Sequence, residues 1–176
     1  MKKFELTGEF VINIFGKKLF RIRALVAFGN VEAGELGGYV EKEENLSDAG
    51  DAWVSGDARV SDNARVSGDA QVFGDAWVSG NARVSGNARV SGDAQVFGDA
   101  DILQITGLGT VHRTTTVFRT PNGIRISCGC FYGDLDAFRE QVKKTREGKV
   151  QREYLKFADL VEIYFGEDKE DECECS

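Results

Sequence analysis

The chain is short of several residues that organise chemistry or punctuate folds. Among 176 residues there are one proline, one histidine, one methionine and four cysteines. A single histidine excludes any metal centre built on three imidazoles. The cysteines stand as Cys128-Gly129-Cys130 and Cys173-Glu174-Cys175, which is not finger or ribbon spacing, so they read as free thiols and no metal site is expected. No apolar run approaches the roughly 20 residues of a membrane helix. The polar opening over residues 1–9 is unlike a secretory leader, so a cytoplasmic protein without a membrane partner is expected. Bases are in the minority, 22 against 29 acids, for a net charge of −7. That balance argues against direct binding to duplex DNA. Hydrophobic residues at 41% and charged residues at 29% indicate a folded chain with a core.

Glycine, in contrast, is plentiful at 21 residues, and it recurs with a period. Residues 51–74 and 75–98 match at 22 of 24 positions, differing only at Asp57 against Asn81 and Asp62 against Gly86. Each block contains four six-residue units of the form Val-Ser/Phe-Gly-Asp/Asn-Ala-X. Valine occupies 54, 60, 66, 72, 78, 84, 90 and 96, Ile102 continues the series, and alanine stands two places before each. A helix needs apolar residues every three or four positions, and a long strand would not carry a Gly-Asp/Asn pair every six. The unit predicts a short Ala-X-Val strand with both apolar side chains on one side. A corner follows, built from residues that tolerate positive φ. Three strands and three corners close a coil of 18 residues, and stacked coils pair as parallel strands about 4.8 Å apart.

Val54-Ser55-Gly56-Asp57-Ala58-Arg59 resembles the hexapeptide repeat of left-handed parallel β-helix proteins, with an aliphatic residue followed four places later by a small one. The segments Ala33–Glu41, Glu44–Ser47 and Cys130–Leu135 are similar to the entry and C-terminal modules of bacterial and phage hexapeptide-repeat proteins, often described as transferases. The resemblance implies the left-handed winding, a trimeric assembly and a bacterial host cell. The fold class expected is mainly β: a left-handed β-helix over 36–118, preceded by a β-hairpin cap over 1–35. A closing β-hairpin over 119–132, a helical hairpin over 133–166 and an acidic mobile tail over 167–176 complete the chain. The N-terminal hairpin turns at Gly16-Lys17-Lys18. Val40 and Leu46 at one end, and Leu108, Val111 and Val117 at the other, are expected to add irregular coils. The first helix is expected to stop at Gly148. The second puts Tyr154, Phe157, Ala158, Val161 and Phe165 on one stripe.

Acyltransferases of this fold use one histidine as general base beside a coenzyme A groove, so the resemblance offers His112 as a catalytic candidate and a coenzyme A thioester as its cosubstrate. The bland reading of His112 is a surface residue. The corner acids form ladders 18 residues apart, such as Asp57, Asp75 and Asp93, and are expected to bond the local backbone. The outward positions divide into three faces. The first carries Trp53, Gln71, Phe73 and Arg89, the second Arg59, Trp77, Gln95 and Phe97, the third Arg65, Arg83, Asp101 and Leu103. Aromatic and arginine residues on a flat, rigid wall point to an interface between copies of the chain. They also suit a nucleotide-like anion, guanidinium on phosphate and indole on base. The leading expectation is a non-catalytic oligomeric binding or assembly module without a cofactor. Its phage-borne relatives suggest interference with host defence, through capture of such a ligand or of a host protein. The alternatives are the acyltransferase and an acidic decoy that imitates DNA.

Overall fold

Each Ala-X-Val unit places its alanine and valine inward and its middle residue outward, and this alternation builds a column. The computed structural model describes residues 2–166. Eight two-residue strands follow at intervals of six: β4 (Trp53–Val54), β5 (Arg59–Val60), β6 (Arg65–Val66), β7 (Gln71–Val72), β8 (Trp77–Val78), β9 (Arg83–Val84), β10 (Arg89–Val90) and β11 (Gln95–Val96). They pair in parallel at a spacing of 18, Trp53 with Gln71 and Gln71 with Arg89, Arg59 with Trp77 and Trp77 with Gln95, and Arg65 with Arg83. The result is about three turns with three walls. Every valine from Val54 to Val96 and every alanine from Ala52 to Ala94 is fully enclosed in one core.

The corners decide why glycine recurs. Gly80 has φ +64°, and a Cβ there would lie 2.0 Å from the carbonyl oxygen of Phe97 one coil on. At this corner, as at Gly50, the next coil leaves no room for a side chain. At two corners the polar side chains, expected to bond the local backbone, bond between coils instead: the Asp51 N–H donates to Asp69 Oδ1, and the Asn63 amide to Asn81 Oδ1.

At the N-terminal end, β1 (Phe4–Ile12) and β2 (Lys18–Ala24) form an antiparallel hairpin, and β2 pairs with β3 (Leu36–Val40). The hairpin strand begins at Phe4 and contributes Phe4, Ile22 and Ala24 to the column's core. Val40 pairs with Val60 and Leu46 bridges Val66, so the expected irregular first coil is present. Polar side chains satisfy the backbone that has no coil beneath it. Lys3, only 4% exposed, donates to the carbonyls of Gly50 and Ala52 with its ammonium over the Phe28 ring, and Asn45 donates to those of Asp62 and Ala64. Burial lowers the Lys3 pKa, opposed by the nearby carboxylates of Asp48, Asp51 and Asp69.

The C-terminal limit differs from expectation. After a short turn at Asp99–Asp101 the chain runs straight into β12 (Ile102–Leu108), which pairs antiparallel with β13 (Arg113–Thr120), then β14 (Gly123–Cys128) and β15 (Phe131–Gly133). No Gly-Asp/Asn corner follows Ile102, so nothing bends the chain into another coil. Leu108, Val111 and Val117 therefore add no coils, the column ends near residue 98 rather than 118, and Asp101 and Leu103 leave the third wall. The two-residue period of β13 serves two cores: Phe118 joins the column core and Val117 the core beneath the helices. The helices α1 (Leu135–Thr145) and α2 (Gly148–Phe165) pack on this sheet and so meet the column largely through it. Asp134 caps α1 by accepting from the Ala137 N–H. Helix α1 stops at Thr145, and Gly148 opens α2 instead of ending α1. The predicted stripe of Tyr154, Phe157, Ala158, Val161 and Phe165 is buried as a unit. The expected tail at 167–176, with Cys173 and Cys175, lies outside the described residues.

Candidate functional site

The three walls differ in what covers them. On the first, Trp53 stands outward but is roofed: the ring of Phe28 meets it edge-on at 5.4 Å, and only 4% of the residue is exposed. Gly37 is tight against the same indole. Trp53 therefore has no open face on which a planar ligand could stack. Farther along the wall, after Gln71, the guanidinium of Arg89 sits 5.3 Å above the Phe73 ring. Arg89 also lines a hollow of about 470 Å³ with Asn87, Thr114, Ser127 and Cys130.

The second wall is where exposed apolar surface gathers. Trp77 is flanked by Phe15 at 5.9 Å and by Phe97 at 5.5 Å, giving a row of three rings. Phe15 is 71% exposed and Phe97 46%, and Ile12 and Ile14 beside the hairpin turn are exposed as well. Asn13 builds that turn by accepting from the N–H groups of Phe15 and Lys17, and Gly16 takes φ +78°. Arg59 lies in register between Tyr39 and Trp77, its Nε buried without a partner among the described residues. Phe15, Ile12 and Ile14 were not among the residues singled out above. Their signal was available, since two large apolar residues immediately before a turn glycine have no core to enter.

The third wall carries Arg65 and Arg83 as direct neighbours, both exposed, their guanidiniums without an ion-pair or hydrogen-bond partner among the described residues. At its upper edge Gln104 acts as a substitute strand. Its amide oxygen accepts from the Ser85 N–H, and its amide nitrogen donates to the Arg83 carbonyl. The register keeps the expected groupings: Arg89 follows Gln71 on the wall of Trp53, Arg59 adjoins Trp77 on the second, and the third carries stacked arginines without an indole.

The repeats of this column match the family model described as the YdcK beta solenoid repeat, at residues 52–68, 58–74 and 82–98. The chain is a β-solenoid repeat protein. No curated protein matches it.

The one histidine of the sequence lies away from the walls. His112 sits in the turn between β12 and β13 with φ +48°, exposed, its Nδ1 3.2 Å from the carbonyl of Gly107. No carboxylate orients its ring among the described residues, which a general base would ordinarily use. Cys128 accepts a hydrogen bond from the Thr115 hydroxyl, and Cys130 is exposed. Among the described residues no group of three metal-ligating side chains occurs, and no helix is long and apolar enough to cross a membrane.

Proposed function

We propose that this solenoid is a non-catalytic assembly and binding module. Its coil winds left-handed, its N-terminal hairpin serves as the cap, and copies of the chain meet through the second wall as trimers. One observation carries the reading: the row of rings Phe15–Trp77–Phe97 exposes apolar surface on the column, with Ile12 and Ile14 exposed near the hairpin turn that carries Phe15. Such patches are unfavourable in water and become favourable when a matching surface excludes it. A coil column favours this use, because its backbone is held by hydrogen bonds from coil to coil and side-chain positions repeat in register.

Native mass spectrometry of the purified chain tests it. The unmodified protein is expected at three times the subunit mass, and a Phe15→Asp/Phe97→Asp variant at one, with unchanged circular dichroism. An unmodified protein that stays monomeric at micromolar concentration would refute the reading. His112→Ala is expected to assemble as the parent does.

A further inference from the structure

The third wall offers a different chemistry from the apolar row. Arg65 and Arg83 are adjacent rungs of one parallel ladder, and at strand spacing their guanidiniums repel. Acids outnumber bases in this chain, and Arg21, Arg23, Arg119 and Arg139 each reach a carboxylate. Arg65 and Arg83 do not. Two hollows, of about 710 and 680 Å³, flank the pair. The first brings Lys42 beside both arginines, with the side chains of Asn45, Asn63 and Asn81 along it. Its two carboxylates, Glu44 and Asp99, belong to the turns within the irregular first coil and after the last coil, against the three cations Lys42, Arg65 and Arg83. The second carries Glu43, Glu44 and Asp48, with Glu43 tied to Lys2. Neither hollow has an aromatic lining residue, so base or ring stacking plays no part there.

We propose that the Arg65–Arg83 pair, with Lys42, binds a small molecule through a diphosphate group. Each guanidinium presents a planar fork of donors that fits the oxygens of one phosphoryl group, and a second fork one strand away fits the next. A bound diphosphate removes the repulsion between the two arginines. The amides of Asn63 and Asn81 on one flank supply further donors.

Isothermal titration with inorganic pyrophosphate, orthophosphate and succinate tests this. Pyrophosphate is expected to bind at least tenfold more tightly than orthophosphate, and more weakly as salt rises. Arg65→Ala and Arg83→Ala should each weaken it several-fold, and the double variant should abolish it with the circular dichroism unchanged. Because both side chains are exposed, these variants are expected to fold. Equal affinity for pyrophosphate and orthophosphate, or unchanged binding in the double variant, would overturn the proposal. Tighter binding of succinate would overturn the phosphate assignment. The site does not depend on the contact between copies, so Phe15→Asp/Phe97→Asp should bind pyrophosphate as the parent does.

Discussion

The two positions at which the duplicated blocks differ both face the N-terminal hairpin. Asp62 pairs with Lys17 at the hairpin turn, and Asp57 lies near Arg21 of β2, whereas Asn81 bonds Asn63 and Gly86 lies under Thr114. Asp62 keeps the φ of +60° that glycine adopts at its counterpart, so it holds its ion pair at some cost in backbone strain. The Lys17 ammonium is the main reason that the Asp62 carboxyl titrates below its ordinary value of 3.8. Partial burial opposes the shift and the Gly80 N–H adds to it. A carboxyl depressed on folding stabilises the folded state above its unfolded value, and the contribution is lost as pH falls through the folded one. Lys17→Met should therefore lower the urea midpoint at neutral pH, and the gap from the parent should close on acidification below 3.8. Each side chain is more than a third exposed, so the gap will be small. A gap that persists unchanged in acid would contradict the assignment. Little of this pairing could be read in the sequence. Lys17 and Asp62 stand 45 residues apart, and only the interruption of the glycine series at Asp62 marked the place.

The elements were legible where one local rule repeats and opaque where it lapses. Each valine from 54 to 96 has the same neighbours one coil away, so the period alone placed the strands, the inward alanines and the three walls. Past Gly98 no corner signal remains, and the mostly apolar run Ile102-Leu103-Gln104-Ile105 suits a coil strand or an antiparallel one equally; long-range pairing with β13 decides. Gly80→Ala tests the corner rule. It forces a side chain onto a left-handed residue and against the Phe97 carbonyl, and should cost on the order of 1–3 kcal/mol by urea denaturation. A neutral result would mean that the coils part easily at this corner. Gln104→Ala tests the edge. The Arg83 carbonyl of β9 and the Ser85 N–H just after it lose their partner, so amide exchange at Ser85 should accelerate while the buried valines keep their protection.

At the scale of the whole molecule, the antiparallel sheet is the joint. Its Phe118 is enclosed in the column and its Val117 beneath the helices, so neither core can open without disturbing the same strand. Both tryptophans lie in the column and both described α-helices lie beyond it, which gives each part its own probe. Tryptophan fluorescence and circular dichroism at helix wavelengths should therefore trace one unfolding transition in the parent. Phe118→Ala, at about 3–5 kcal/mol, should separate them. Transitions that remain coincident would show that the coupling runs elsewhere.

The mismatch between the block of 24 residues and the turn of 18 has a consequence for how such a chain grows. Each duplicated block winds one and a third times around the axis, which is why the indole at 53 and its twin at 77 look out in different directions. Lengthening by this block is a screw operation: it raises the tower and rotates the decoration onto the next facade. A third copy would turn its own indole toward the side now held by the paired arginines, and a fourth would return to the starting azimuth. A binding patch confined to one side could thus be copied to the others without any substitution, and later changes such as Asp62 and Gly86 would give each side its own neighbours.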